Sequence, residues 1–495
     1  MSDTKSSYRQ VMKATSIFGG VQVFQIIIGI IRSKFIAVLL GPTGMGIASL
    51  LHSTLLLIAS LTNFGLGTSA LKEIAAAHSS GDENRLSIVS TVFKRWVWVT
   101  GLLGAIVTAI LAPWLSEFTF GNRDFTFAFI WIAITLLFNQ ISTGQDVLLR
   151  GMRQIRYMAQ SAMIGSVVGL FTTIPLYYFY GIDGIVPAII ISAISSLVLT
   201  WFYARKLKIK SAFVSQARTI LEGKGMLKMG FLISLSSLIT VGASYIVRIF
   251  ISNNGGVEQV GLYNAGFVII NTYVGMIFTA MATDYYPRLS AVAHSNLQTK
   301  IVVNQQAEIA LLILAPILIV FLIFINWIVI ILYSTQFLAV STMIYWAALG
   351  MLFKAVSWSI GFIFLAKSAT KLYFWNELIT NIYLILLNIA GYYYWGLTGL
   401  GMSFLVSYFL YLLQVYWIAK CKFEFSFNND FLKIFLLQLV LAILSFLTVQ
   451  YFNAFWAYGI GIILILISSG YSWNELDKRM DLKGILLNIK TKFRK

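Results

Sequence analysis

Long apolar runs separated by short polar turns dominate the chain. A hydrocarbon core of about 30 Å is crossed by roughly 20 apolar residues of α-helix. Runs of that length lie at 14–39, 45–69, 90–114, 126–149, 155–179, 184–204 and 228–252. They continue at 259–283, 309–333, 338–365, 372–394, 397–419, 431–451 and 455–473. The expected fold is an all-α integral membrane protein of about fourteen transmembrane helices.

The pattern repeats itself at an offset of about 215 residues. Tyr177-Tyr178-Phe179-Tyr180-Gly181-Ile182-Asp183-Gly184 matches Tyr392-Tyr393-Tyr394-Trp395-Gly396-Leu397-Thr398-Gly399. Lys72 before Ala77-His78-Ser79 matches Arg288 before Ala293-His294-Ser295, and Gly46 in the first outer turn pairs with Gly261 in the fourth. An even number of helices separates the copies, so both have one orientation. Parallel repeats about an axis along the membrane normal are a transporter architecture, with the substrate between the halves. The chain therefore divides into a six-helix lobe at 1–210, a cytoplasmic linker at 211–227 and a second six-helix lobe at 228–422. Two extra helices at 423–473 and a basic tail at 474–495 follow. In the tail, Leu482, Ile485, Leu486 and Ile489 among basic residues suit a segment lying on anionic lipid or a disordered basic end.

Composition agrees with a bilayer as the main solvent. The chain is 59% hydrophobic and only 11% charged, with a mean hydropathy of +0.83, whereas soluble domains carry about a quarter charged residues. The net charge of +18 is spread in short blocks between apolar runs, which excludes a nucleic-acid stripe. With an inner N-terminus, the opposite loops hold only Arg123 of the 36 lysines and arginines. Four more, Arg32, Lys34, Arg248 and Lys354, fall inside predicted spans, and every other one falls on the inner side. That bias sets both termini in the cytoplasm. Cys421 is the single cysteine, so no internal disulfide forms. The first apolar run is too long and lacks the cleavage site of a signal peptide. No zinc constellation, Walker loop or GxSxG elbow is present.

An ionisable residue near the middle of a span costs about 2.5–3.5 kcal/mol on insertion scales, so it belongs against water, protein or substrate. Helical spacing places these residues on polar stripes: Gln22, Gln25, Gly29 and Arg32; Ser237, Thr240, Ser244 and Arg248; Asn139, Thr143, Asp146 and Arg150; Glu377, Asn381 and Asn388. Lys354, with Ser357 and Gly361, sits mid-span in the tenth helix. Stripes from both lobes imply a shared hydrophilic cavity with an excess of cations. Arg32, Lys34, Arg248 and Lys354 are the candidate substrate-binding residues, because a guanidinium fork suits phosphate. Lys34 lies about 200° around the helix from Arg32, so one of the pair snorkels or forms an ion pair while the other faces a ligand. Glu377, Asp146, Asp284 and His52 are the coupling or gating candidates. Asp146 beside Arg150, and Asp284 beside Arg288, suit local salt bridges as well, and His52 suits a packing residue as well as a titrating one.

The outer turn Leu40-Gly41-Pro42-Thr43-Gly44-Met45-Gly46, after Lys34-Phe35-Ile36-Ala37-Val38, resembles that of bacterial O-antigen and enterobacterial common antigen flippases. So do Glu258-Gln259-Val260-Gly261-Leu262-Tyr263-Asn264, Tyr286-Pro287-Arg288-Leu289-Ser290 and Ala366-Lys367-Ser368, and the resemblance covers essentially the whole chain. It extends to the wider group holding multidrug extruders and lipid II flippases. The resemblance implies translocation of an undecaprenyl-diphosphate-linked oligosaccharide across the bacterial inner membrane by alternating access, with a cationic cavity. By position, Lys34, Arg248 and Lys354 match basic residues of such flippases; Arg32 comes from its stripe alone. The implied partners are the lipid-linked oligosaccharide, membrane lipids, a polysaccharide polymerase and a chain-length regulator, with no nucleic acid. No cofactor is expected; protons, sodium or the membrane potential are the candidate driving forces.

The rival readings are a multidrug extruder, a lipid II flippase, a membrane glycosyltransferase or polymerase, and a channel. Extruders of cationic drugs use acidic cavities. Outer-face catalysis needs charged outer loops, and here those are short, holding Glu117, Arg123, Asp124, Asp183 and Glu258. A channel gives no reason for two repeated lobes. The expectation is therefore a transporter, not an enzyme.

Overall fold

The computed structural model describes residues 2–207, 209–210 and 212–480, with side chains described from Gly20 onward except at 232, 233, 236, 273, 283 and 480. The apolar positions expected in the tail, Leu482 to Ile489, lie outside the described residues. The helices are α1 (Ser2–Thr62), α2 (Leu66–Ser79), α3 (Glu83–Phe120), α4 (Thr126–Gly151), α5 (Ile155–Tyr180) and α6 (Ile185–Ala204). They continue as α7 (Gln216–Val268), α8 (Met276–Ala291), α9 (Asn296–Leu332), α10 (Ser341–Ala366), α11 (Thr370–Phe423), α12 (Asn429–Tyr451) and α13 (Ala454–Met480). No strand occurs among the described residues.

Ten helical runs among the described residues are long and apolar enough to cross a membrane. Four of them, of 43, 53, 55 and 54 residues, would reach more than about 60 Å if straight, twice the hydrocarbon core. Each is interrupted where the hydropathy pattern placed a turn. The breaks are Gly41 (φ 65, ψ −169), Gly181 (φ 55, ψ −129), Gly256 (φ 83, ψ 171) and Gly396 (φ 56, ψ −136). A side chain would strain such a backbone, so glycine reverses the chain at no steric cost.

The breaks carry the internal repeat into the backbone. Gly41 and Gly256 are about 215 residues apart, as are Gly181 and Gly396, and each pair shares nearly one conformation. Arg153 (φ 55) and Ser368 (φ 53) form a third pair at that spacing. The 26-residue helices α4 and α10 form a fourth match.

By contacts the chain forms two compact units, Met1–Asn264 with Leu332–Gln336, and Ala265–Ile331 with Phe337–Lys495. This division does not fall at the repeat boundary, because most of α7 packs with the first unit. In that unit, Leu66, Ala70 and Ile74 of α2 join Val89, Val92, Phe93 and Val97 of α3 and Val147 and Leu148 of α4. Val214 and Met226 complete the cluster. The stretch 212–227 is thus folded against the helices, helical from Gln216 and pinned by Arg95 to Val214 O (2.8 Å) and Trp96 Nε1 to Thr219 O (3.0 Å). Tyr245 of α7, buried, shares its hydroxyl with Thr54 of α1 (3.1 Å) and Thr119 of α3 (2.7 Å).

Glycines let backbones meet in the same unit. A Cβ on Gly46 would collide with the Val257 carbonyl, and one on Gly261 with the Pro42 carbonyl. The contact is reciprocal between equivalent positions of the repeat. Towards the other ends of these helices, Gly65 and Gly230 meet in the same way, backbone to backbone.

In the second unit α10 is the central helix, with Met351, Leu352, Ala355, Ile360 and Ile363 fully buried. A π-helical turn, Ile269–Val274, precedes α8. The last two helices are tied by a buried set: Gln438 of α12 donates to Ser472 (2.9 Å) and accepts from Ser468 (2.7 Å) of α13. Arg479 of α13 pairs with Glu308 of α9 at 2.7 Å.

Candidate functional site

In the first unit the structure brings three sequence-selected residues together. Arg32 on α1 and Arg248 on α7 both act electrostatically on the His52 imidazole of α1. Among the described residues Arg32 makes no ion pair, and its buried Nε has no acceptor. Arg248 is positioned by its own stripe, as the spacing predicts: it donates to Ser244 O at 3.1 Å and to Ser244 Oγ. Its guanidinium also lies 5.7 Å from the ring centroid of Tyr263. For Arg32, a guanidinium in a span without a carboxylate among the described residues is costly unless an anion completes it.

Lys34 turns elsewhere, as its angular offset from Arg32 requires. Its Nζ donates to the Tyr333 carbonyl at 2.5 Å, within the same unit. His52 itself is exposed rather than packed.

Gln22, Asn139 and Thr143 are also exposed, and Gln25 is half-buried. None of the four has a hydrogen-bonding partner among the described residues. Polar groups inside a span are stable when they meet water or substrate, not lipid. Ser237 bonds back to Ser234 O at 2.8 Å, on an exposed part of α7 that also carries Thr240.

The acidic candidates separate into two kinds. Asp146 pairs with Arg150 at 2.8 Å and Asp284 lies 3.8 Å from Arg288, which also reaches Gln306 at 3.0 Å. Both carboxylates thus have the local partners that the one-turn spacing allows. Glu377, in the second unit, has no basic partner among the described residues and accepts from the half-buried Tyr411 hydroxyl at 3.2 Å. Tyr411 in turn accepts from Asn376 (3.5 Å), which accepts from Gln414 (2.8 Å). Asn381 and Asn388 cap carbonyls one turn back, at 2.8 and 2.7 Å, and Asn388 also accepts from Ser403 at 2.9 Å.

Lys354 lies in the second unit. Its Nζ donates to Asn271 Oδ1 at 2.6 Å and lies 5.0 and 5.7 Å from the Tyr408 and Phe404 rings. Asn271 sits on the π-helical turn, a distortion common at functional sites, and its buried Nδ2 has no acceptor. Sequence reading missed Asn271, although an asparagine inside the apolar run Phe267-Val268-Ile269-Ile270 is a signal of the kind used for the other stripes. Phe404 and Tyr408 carried no such signal, since aromatics fill the whole chain.

Among the described residues no three His, Cys, Asp or Glu side chains gather to hold a metal.

Comparison with known proteins places the geometry in a family. The chain is 20% identical over 397 residues to the lipid III flippase of Escherichia coli (strain K12), covering 77% of this chain and 92% of that protein. A Shigella flexneri protein named for O-antigen transport is 24% identical over 302 residues, 59% of this chain and 69% of that one. Among solved structures, the lipid II flippase MurJ in an inward closed conformation superposes with a TM-score of 0.70 at 16% identity, over 93% of this chain and 99% of that one. An inward-facing multidrug resistance MATE transporter of the MOP superfamily gives 0.66 at 14% identity, over 81% and 94%. The fold is therefore that of these multi-pass transporters. Residues 35–342 match the family described as polysaccharide biosynthesis protein, and the chain belongs to that family.

Proposed function

We propose that the chain is a flippase that moves a polyprenyl-diphosphate-linked oligosaccharide, a surface-polysaccharide repeat unit, across the bacterial inner membrane by alternating access. The observation that carries this reading is that Arg32 and Arg248 lie in apolar helical runs of one unit, near enough to His52 for both charges to act on it, with Arg32 lacking any ionic partner among the described residues. The relatives named as a lipid III flippase and for O-antigen transport support the substrate class.

In this reading the two guanidinium groups take the diphosphate, each charge-assisted hydrogen bond contributing about 1.5–3 kcal/mol. Ser244 fixes the rotamer of Arg248, and Gln22, Gln25, Asn139 and Thr143 give sugar hydroxyls partners. Lys354 with Asn271 is a further anion-binding point in the second unit. Fourteen spans, with both termini and the basic loops inside, complete the topology. An outward-moving headgroup of two negative charges gains about 4–5 kcal/mol per 100 mV of inside-negative potential. The Gly65–Gly230 approach acts as the inner closure and the Gly46–Gly261 crossing as the outer one. Glu377 is the remaining coupling candidate, because its partners are hydroxyl and amide groups that tolerate either protonation state. Polymerase and chain-length regulator partners belong to this reading too.

A multidrug extruder shares the fold, but such extruders favour cations through acidic cavities, and the cluster in the first unit is basic. Complementation of a flippase-deficient bacterium is the test. The wild-type chain restores surface polysaccharide, and Arg32→Gln with Arg248→Gln abolishes it at equal membrane expression. Full activity of the double variant contradicts the reading.

A further inference from the structure

A cavity of about 410 Å³ opens in the first unit between α3, α4 and α6, away from the arginine pair, and no carboxylate lines it. Two helices present the same arrangement to it. On α3, Lys94 is followed one turn deeper by Trp98; on α6, Trp201 lies one turn deeper than Arg205, which closes the helix. Both cations are exposed and neither has an ion-pair partner among the described residues, while the Arg205 guanidinium sits 4.5 Å over the Trp201 ring. The cavity is also lined by Gln145 of α4, whose Oε1 accepts from Thr200 at 2.6 Å, so its amide N–H groups remain for a guest. Trp98 and Trp201 are 56% and 48% exposed, the position of an interfacial aromatic belt. A lysine, an arginine and an amide thus converge at headgroup depth above two indoles. That is the donor set for a phosphodiester, with apolar surface beneath it for glycerol and acyl carbons.

We infer that this cavity binds the headgroup of an anionic phospholipid, such as phosphatidylglycerol, as a site separate from that of the transported substrate. The inference does not depend on the flippase reading, since it concerns lipid retention rather than transport.

The test is native mass spectrometry of the full chain released from nanodiscs containing phosphatidylglycerol and phosphatidylcholine. The wild type retains phosphatidylglycerol selectively. Lys94→Gln with Arg205→Gln lowers retention by about tenfold or more, and Lys94→Arg with Arg205→Lys keeps it. Arg153→Gln with Arg156→Gln removes equal charge from helix ends on the same side, outside the cavity, and leaves retention unchanged. Inorganic phosphate fails to displace the lipid. Unchanged retention in the Lys94/Arg205 neutral variant overturns the inference, and so does equal loss in the Arg153/Arg156 variant. Complete displacement by phosphate also overturns it, assigning the cavity to a free anion.

Discussion

At the scale of single side chains, Arg32 and Arg248 differ in how they are held, and the difference can be measured. Arg248 is oriented by Ser244 and faces Tyr263, whereas Arg32 has no described hydrogen-bond partner. Ser244→Ala therefore lowers transport partially, by about three- to tenfold as one hydrogen bond is lost, while Arg248→Gln lowers it by tenfold or more. A lipid-translocation assay on each variant checks both. Asp146→Asn leaves transport within about twofold, because the Asp146–Arg150 pair is a partly exposed i,i+4 contact of small energetic weight. A large loss would return Asp146 to the coupling role. The sequence exposed Arg32, Lys34, Arg248 and Lys354 because a charge in an apolar run is conspicuous. It could not show that Lys34 is taken by Tyr333, or that Lys354 meets Asn271, since those partners are distant along the chain. Asn271 stood out as a polar residue in an apolar run, but its pairing with Lys354 and its place on a π-helical turn are not encoded in hydropathy.

Individual helices were legible where apolar length alone decides. The turns at Gly41, Gly181, Gly256 and Gly396 fall where hydropathy dips. Helix starts were less so. The run at 309–333 belongs to a helix beginning at Asn296, because Asn304, Gln306 and Glu308 read as polar loop yet are satisfied in place. Asn304 bonds Ser426 O at 3.1 Å and Asn428 N at 2.9 Å, and Glu308 pairs with Arg479. Likewise 45–69 ends early at Thr62, where Phe64 and Gly65 turn left-handed before α2. The close glycine contacts carry a prediction at this scale. Gly230→Leu cannot approach Gly65, so the inner closure fails. With Cys421→Ser as background, a cysteine placed on the exposed part of α7 at Ser237 then reacts faster with an inner-side thiol reagent than in the Gly230 protein. Equal reactivity would remove the closure from the account. In α12, Gln438→Leu strips both serines of their partner and lowers stability by about 1–3 kcal/mol, read as a drop in detergent-solubilised melting temperature.

For the whole molecule, the repeat that the sequence carries as scattered motifs reappears as paired backbone conformations at one offset, at Gly41 and Gly256, Gly181 and Gly396, and Arg153 and Ser368. Such agreement in rare left-handed geometry is stronger than any motif match, because side-chain identity drifts while a reversal between two helices must be kept. Charge alone sets the expected topology, because the loops assigned to the inner side collect the basic residues. It predicts that a cysteine at Asp183 labels from outside and one at Ser215 from inside; labelling of both from one side would remove a span. The substrate was the least legible level, since basic residues inside spans point to an anion but not to its sugars. The most direct test is therefore translocation itself. Proteoliposomes holding the purified chain and a fluorescent polyprenyl-diphosphate oligosaccharide are assayed for lipid reaching the opposite leaflet. Transfer well above protein-free vesicles is expected, lost when Arg32 and Arg248 are both changed to Gln. Transfer no faster than in empty vesicles, or undiminished in the double variant, would contradict the flippase reading.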